Sequence, residues 1–450
     1  MSGAGHAGTV REPARSTPIV ARPDVLVVGG GSAGIAAACA AARAGADTLL
    51  IERYGFLGGT LTAVTLGGFC GTHAVIDDDR LGRVVGGLYL DLEDRLRARR
   101  AVSPPKRHGR IVGVPYESAT LKLVADELVD AHGARTMLHA WAADVIVEGR
   151  RIAAVMVENK GGRRAIVPSV VIDASGDGDV AARAGAAFDL GCDGETQYGS
   201  TMFRMGGVDI DRASALSRQD IRACLEAAVE GGYPLPRTTT GVHINPLEGV
   251  VHLNVTKVGD PEGRPFDLVD PDALTRGERE GRRQVYLYEE VFRRFVPGFE
   301  RARVIDLGAM IGIRETRLVH GERTLTEADV RACAKPADRI ACSSWALESH
   351  GRGRATAWEF LPDGEWYGIP YGCLVVKGLD NLLVAGRNLS AAHAAQASAR
   401  VAGPCIAMGE AAGVAAALAV PDRVAMRDVS VGAVQRTLER HGAILSPNWR

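Results

Sequence analysis

VLVVGGGSAGIAAACAAARAGADTLLIER, residues 25–53, runs from an apolar strand through a glycine cluster into an alanine-rich helix and a second strand. The β-branched run at 24–28 predicts a buried strand, the alanines a helix to about Ala44, and 47–52 the next strand. Gly29, Gly31 and Gly34 have GxGxxG spacing. Gly29 permits a tight turn out of the strand, Gly31 lets backbone approach a pyrophosphate, and Gly34 allows close helix–strand packing. Ser32 opens the helix, whose free N–H groups and dipole favour phosphate. Glu52 ends the second strand, 23 positions after Gly29, where an acid can hold both hydroxyls of an adenosine ribose. Arg53 reads either as a solvent-facing side chain or as an adenine-side contact; Glu52 beside it disfavours a 2′-phosphate. Together these residues predict a dinucleotide site.

Outward from this unit, a simple nicotinamide-binding fold would continue into another βα repeat. Here a second glycine turn, Gly58-Gly59-Thr60, follows the acid at once, with backbone suited to a longer cofactor. Residues 117–131 predict an amphipathic helix, and 135–142, 144–148, 152–158 and 164–172 predict strands. Residues 382–386 predict another buried strand and 404–420 a second alanine-rich helix. The two ends therefore form one Rossmann-like α/β domain with an inserted mixed α+β substrate domain. The expected organisation is a flexible tail at 1–23, dinucleotide-binding segments at 24–189, a substrate domain of strands, turns and short helices mainly at 190–365, a returning segment at 366–420 and an extension at 421–450.

Composition narrows the function classes. Hydrophobic residues make up 46% and charged residues 24% of the 450, which excludes a disordered chain. Lys+Arg total 53 against Asp+Glu 54, so no basic excess points to nucleic acid. The 8 cysteines lack a CxxC pair, and neither an HExxH signature nor a Ser-His-Asp order appears, so no metal site is expected. The N-terminus lacks a signal peptide's apolar core and the run 33–44 is too short to span a bilayer. The expectation is a cytoplasmic protein without membrane insertion. The glycines, 55 in all, exceed the usual ~7% and cluster at turns.

The sequence resembles the FAD-dependent oxidoreductases of the glutathione-reductase-type two-dinucleotide-binding superfamily, and within it a bacterial FAD-dependent oxidoreductase family. The resemblance covers roughly residues 24–420. It rests on ERYGFLGGT (52–60), VVIDASGDGDVAARAG (170–185), TMFRMGG (201–207), IGIRETRLVHGERTLTEADV (311–330) and the segment from GIPYGCLVVKG (368–378) to GEAAGVAAALA (409–419). It implies FAD as cofactor, with Glu52 on the ribose and Gly58, Gly59 and Thr60 beside the diphosphate and ribityl. It also places the Ala142 backbone on adenine and the Asp173, Gly176 and Asp177 turn beneath the pyrophosphate. Gly386 and Arg387 would lie near the ribityl, and Gly403 would start the helix facing the flavin N1–C2=O edge. The residues alone leave the Asp173 turn open to a second reading, an aspartate capping the next helix.

The catalytic surface is less constrained. His393 is a candidate acid/base because imidazole titrates near neutrality; a flavin contact or a turn cap are the alternatives. Ser390, Gln396 and Arg400 lie in the same stretch. Arg204, between Phe203 and Met205, reads as an anion-binding group or a structural ion pair. Arg314, in Arg314-Glu315-Thr316-Arg317, reads as a substrate clamp or a domain staple. His252 and Asn254 share one strand face and either floor a cavity or sit satisfied in the sheet; His243 reads the same way. Cys70, His73, Cys405 and Tyr371 read first as packing groups. The preferred reaction is hydride transfer from a small organic substrate to flavin N5, followed by reoxidation by an unidentified electron acceptor. The alternatives are an ene-reductase, a monooxygenase and, in another class, a flavin-bearing RNA-modification or assembly factor. A homo-oligomer is compatible with all of them.

Overall fold

The structure, a computed structural model, describes residues 8–351 and 353–449. Its centre is a five-stranded sheet in the order Leu382–Val384, Val170–Asp173, Val25–Val28, Thr48–Ile51, Arg135–Met137, with every pair parallel. Strand alternation sends Val25 and Val27 to one face and Leu26 and Val28 to the other. The first pair packs on the helices Ser32–Arg43 and Ala402–Ala419. The second packs on the antiparallel meander Trp141–Glu148, Arg151–Asn159, Gly162–Ile166. A parallel sheet covered on both faces explains why its strands read as unbroken apolar runs.

Two helices meet where side chains are absent. A Cβ on Gly409 would lie 2.0 Å from the Ala33 carbonyl oxygen, and one on Gly413 2.2 Å from that of Ala37. Small residues on both helices allow this approach, and both helix starts consequently face the same cavity. Ala402–Ala419 is long and apolar enough to cross a membrane, yet 89% of it is buried inside the protein.

Several sequence expectations need correction. The strand expected at 164–172 is two strands in different sheets, because Pro168 cannot donate to a ladder. The strand expected at 135–142 stops at Met137, and Trp141 begins the meander. Of the expected tail, Ile19–Ala21 pairs with the meander in parallel register; residues 1–7 lie outside the described residues. The extension carries the helix Val431–Arg440, whose Val434 and Leu438 join the main core.

The inserted region has its own core. Its antiparallel sheet runs His243–Ile244, Val251–Leu253, Phe203–Gly206, Arg303–Leu307. Behind it pack Arg218–Glu230 and a 25-residue helix, Pro271–Phe295, where only short helices were expected. Asp270 caps that helix and Pro271 occupies its first turn, where a missing N–H is not felt.

Candidate functional site

One cavity of about 570 Å³ runs from the C-terminal ends of the central strands to the sheet of the inserted region. At the strand end, Gly29 has φ +100°, and a Cβ there would lie 2.5 Å from the Ala174 carbonyl oxygen. Gly34 faces away from the cavity, and its Cβ would fall 1.7 Å from the Gly29 oxygen. Gly31 and Ser32 instead line the cavity, and an added Cβ on Gly31 would meet nothing nearer than Gly59 Cα at 3.8 Å. No side chain caps the helix Ser32–Arg43, so its first N–H groups are available to a ligand.

Glu52 lines the same wall, buried, and accepts hydrogen bonds from the Gly30 N–H (2.7 Å) and the Tyr54 N–H (2.9 Å). The Arg53 guanidinium lies 5.1 Å from the Tyr54 ring and 5.3 Å from the Trp141 ring, giving a flat cationic surface. Gly59, Thr60 and Ala142 complete this part of the lining. Gly58 sits behind it at φ +115° and donates to the Gly30 oxygen (2.7 Å). Across the cavity stand Gly176, Gly386 and Arg387. Arg387 Nη2 binds Asp177 at 2.7 Å, while its Nη1 is buried without a partner. An uncapped helix start, an orphaned guanidinium nitrogen and a buried acid along one trough fit the phosphates and ribose of FAD.

Three other expected cofactor residues stand back from the lining. Asp173 accepts from the N–H groups of Ser175, Val180 and Ala181, and so caps the helix Asp179–Arg183. Asp177 is buried between Arg387 and Thr316, whose hydroxyl donates to it at 2.8 Å. Gly403 packs on Gly71, and its neighbours Val401 and Ala402 face the cavity instead. That helix starts at Ala402, two residues before the expected start.

At the substrate end the expected catalytic residues separate. Arg314 lines the cavity, 5% exposed. Its Nη1 donates to the Tyr198 carbonyl (2.5 Å) and the Ser200 hydroxyl (2.8 Å), and its Nη2 to Asn254 Oδ1 (3.2 Å). All three acceptors are neutral. Burial and the guanidiniums of Arg400 and Arg237 push the Arg314 pKa down to about 9. Glu315, Thr316 and Arg317 turn the other way and hold His393, Asp177 and Asp179. The segment is thus clamp and staple at once.

His393 and Arg204 do not appear among the lining residues. His393 Nδ1 lies 2.8 Å from Glu315 Oε1, a hydrogen bond that raises the histidine pKa. Arg204 is held by Glu117 at 3.0 Å and by Asp306. Glu117 also caps the helix Ser118–Ala131, so this ion pair joins the two regions. Ser390 pairs with Thr324, Gln396 bridges the Arg314 and Arg387 carbonyls, and Tyr371 donates to the Met426 carbonyl. Cys70 and Cys405 line the cavity with thiols pushed up to about 12 by burial, and are therefore protonated.

Arg237, Arg218, Trp345, Glu348 and His350 line the cavity too, and the sequence did not single them out. Glu348 accepts from Trp345 Nε1 (3.2 Å), pairs with His350 Nε2 (2.8 Å) and lies 3.6 Å from Arg400. Burial opposes its ionisation, but His350, Arg400 and Arg314 lower its pKa well below the usual carboxylate range. Burial, then Arg314, lowers His350 to about 3; the imidazole is neutral and donates to Glu348. The available signal was Glu348 and His350 at alternate positions in and just beyond the short strand Leu347–Ser349, a spacing that sends both to one face. His243, His252 and Asn254 also face the cavity, the first of their two sequence readings.

A family model described as FAD dependent oxidoreductase matches residues 24–438. The fold is similar to several solved structures. One is a geranylgeranyl bacteriochlorophyll reductase-like protein from Thermoplasma acidophilum, 16% identical over 93% of this chain and 83% of that chain, with a TM-score of 0.47. Another is an aromatic hydroxylase from angucycline biosynthesis, 15% identical over 93% and 65%, TM-score 0.48. A third is p-nitrophenol 4-monooxygenase from Pseudomonas putida, 12% identical over 93% and 84%, TM-score 0.47.

Proposed function

The chain belongs to the FAD-dependent oxidoreductase family, and from that premise we propose that it oxidises a small anionic organic substrate in the inserted region's half of the cavity. The observation that carries this is the charge imbalance there. Arg218, Arg237, Arg314 and Arg400 line the space, and Glu348, their one close carboxylate partner among the described residues, is engaged by Arg400 and His350. Arg314 and Arg237 bond only to neutral groups. Buried guanidinium without a counter-ion is costly, and a substrate carboxylate supplies one with matching fork geometry.

Glu52, Arg387 and the starts of the two glycine-packed helices would hold FAD, which supplies the two-electron acceptor when bound. Arg314 orients the substrate anion. His350 and His252, both neutral through burial, can accept the proton released as a substrate C–H is oxidised. The cavity also carries an aromatic wall, Trp345 and Trp358 at 5.9 Å. That wall suits a planar ring, so hydroxylation of an aromatic acid is the second reading.

The test is an anaerobic screen of carboxylic acids against the FAD-loaded protein, followed at the oxidised-flavin absorption band. Bleaching by substrate alone supports direct oxidation. Bleaching that requires NAD(P)H, with oxygen then consumed to a hydroxylated product, selects the second reading. A protein that takes up no FAD overturns both.

A further inference from the structure

The floor of the substrate end can be ordered from its pairings. Arg314 donates to Asn254. Asn254 and His252 are two residues apart along the chain, ~7 Å in extended backbone, and both face the cavity. The His252 ring lies 5.8 Å from that of His243, its cross-strand partner, and His243 lies 6.0 Å from His108. Beyond this row the Arg218 guanidinium lies over Gly241, 3.3 Å from where a Cβ would stand, and Lys106 shares a strand with His108. The buried arginine centre and the pair Arg218 and Lys106 therefore both border the span of a histidine floor.

Two observations point to a ligand across that span. Arg218 and Lys106 line the cavity with no side-chain hydrogen bond or ion pair among the described residues. His252 is 2% exposed, faces the cavity and has both ring nitrogens buried without partners. A neutral imidazole carries one donor and one acceptor, so a polar group is missing beside it. Gly67 lets backbone press on this ring, since a Cβ there would lie 2.2 Å from His252 Nδ1; the ring cannot swing toward that side for a partner.

We infer that the substrate is an elongated dianion, a dicarboxylate, reaching both cationic stations beside this floor. One carboxylate sits in the Arg314, Arg237 and Arg400 centre, the other at Arg218 and Lys106, and a polar middle faces His252. This rests on the anionic-substrate reading above and adds a second station to it.

The experiment is calorimetric titration of the FAD-loaded full chain at fixed ionic strength with acetate, succinate, glutarate, adipate and inorganic phosphate. One dicarboxylate should bind at least roughly tenfold more tightly than acetate, the gain expected of a second charge-assisted contact. Arg218→Ala, at an exposed position, should abolish that gain. Dicarboxylates no tighter than acetate, or a gain that survives Arg218→Ala, would overturn the two-station inference and leave the anionic reading standing. Phosphate as the tightest probe would replace the elongated dianion with a compact one. No binding of any probe, acetate included, would defeat both readings.

Discussion

Arg314 shows what a single residue must do here. Two guanidinium nitrogens reach three acceptors on three separate segments: Tyr198, Ser200 and Asn254. A lysine ammonium is a point donor and cannot span them. Arg314→Lys should leave at least one buried acceptor unpaired and destabilise the folded protein by about 1–3 kcal/mol. In chemical denaturation this appears as a lower midpoint, with acetate affinity reduced in parallel; an unchanged midpoint would reject the fork. At this scale the sequence was only partly legible. The run Arg314-Glu315-Thr316-Arg317 announced dense charge, but not that one member faces the cavity and three face the frame. Arg204 and His393 looked equally promising, because neither a charge amid apolar neighbours nor an imidazole that titrates near neutrality says whether its partner is a ligand or a carboxylate. Glu117, Asp306 and Glu315 turn out to be those partners. All three lie far from them in sequence, beyond the reach of spacing arguments.

The contact between Ser32–Arg43 and Ala402–Ala419 sets both helix starts around the cofactor trough. It depends on Gly409 and Gly413, whose missing side chains admit the carbonyls of Ala33 and Ala37. Gly413→Val should force the helices apart, at a cost of about 1–3 kcal/mol or more from overpacking. It should also loosen FAD, because both starts move. The expected result is a lowered melting temperature together with FAD lost on gel filtration; a variant that melts normally and keeps its flavin would show that the approach is not needed. Both alanine-rich helices were readable from composition, since a stripe this small signals close packing, but their mutual contact was not. Strands of the central sheet were readable because burial on both faces makes them continuous apolar runs. Pro271–Phe295 was not. Its cavity-distant face is charged, and Gly277 and Gly281 occupy core positions where a larger apolar residue would have marked the period. A Cβ on Gly281 would lie 1.9 Å from Thr201 Oγ1, so the glycine that obscures the pattern is also what lets the helix seat.

Across the whole molecule, the inserted region and the parallel-sheet region close one cavity, and that closure has a titration consequence. Burial lowers the pKa of His252 well below the ordinary histidine value, and that of His350 to about 3. Both side chains are under a tenth exposed. In the unfolded chain each returns to near 6.5. The unfolded state therefore binds more protons than the native state between those values. Their contribution to stability is complete above pH 6.5 and falls as pH drops toward about 3, by up to ~1.4 kcal/mol per pH unit for each such histidine. Arg314 and Arg204 reinforce the direction, because each lies near one of these imidazoles and repels its protonated form. A dicarboxylate in the cavity should oppose it, by supplying the negative charge that a protonated histidine lacks. The melting temperature of the FAD-loaded protein should thus decline steadily from pH 7 to pH 5, and less steeply with a saturating dicarboxylate present. In His252→Gln the decline should be shallower even without ligand, since one of the buried titrating histidines is gone. A melting temperature flat across that range would mean that these imidazoles are already protonated, or hydrated, in the folded protein. The histidines would then be solvated surface, and the cavity would not be the dry, cationic enclosure that its lining describes.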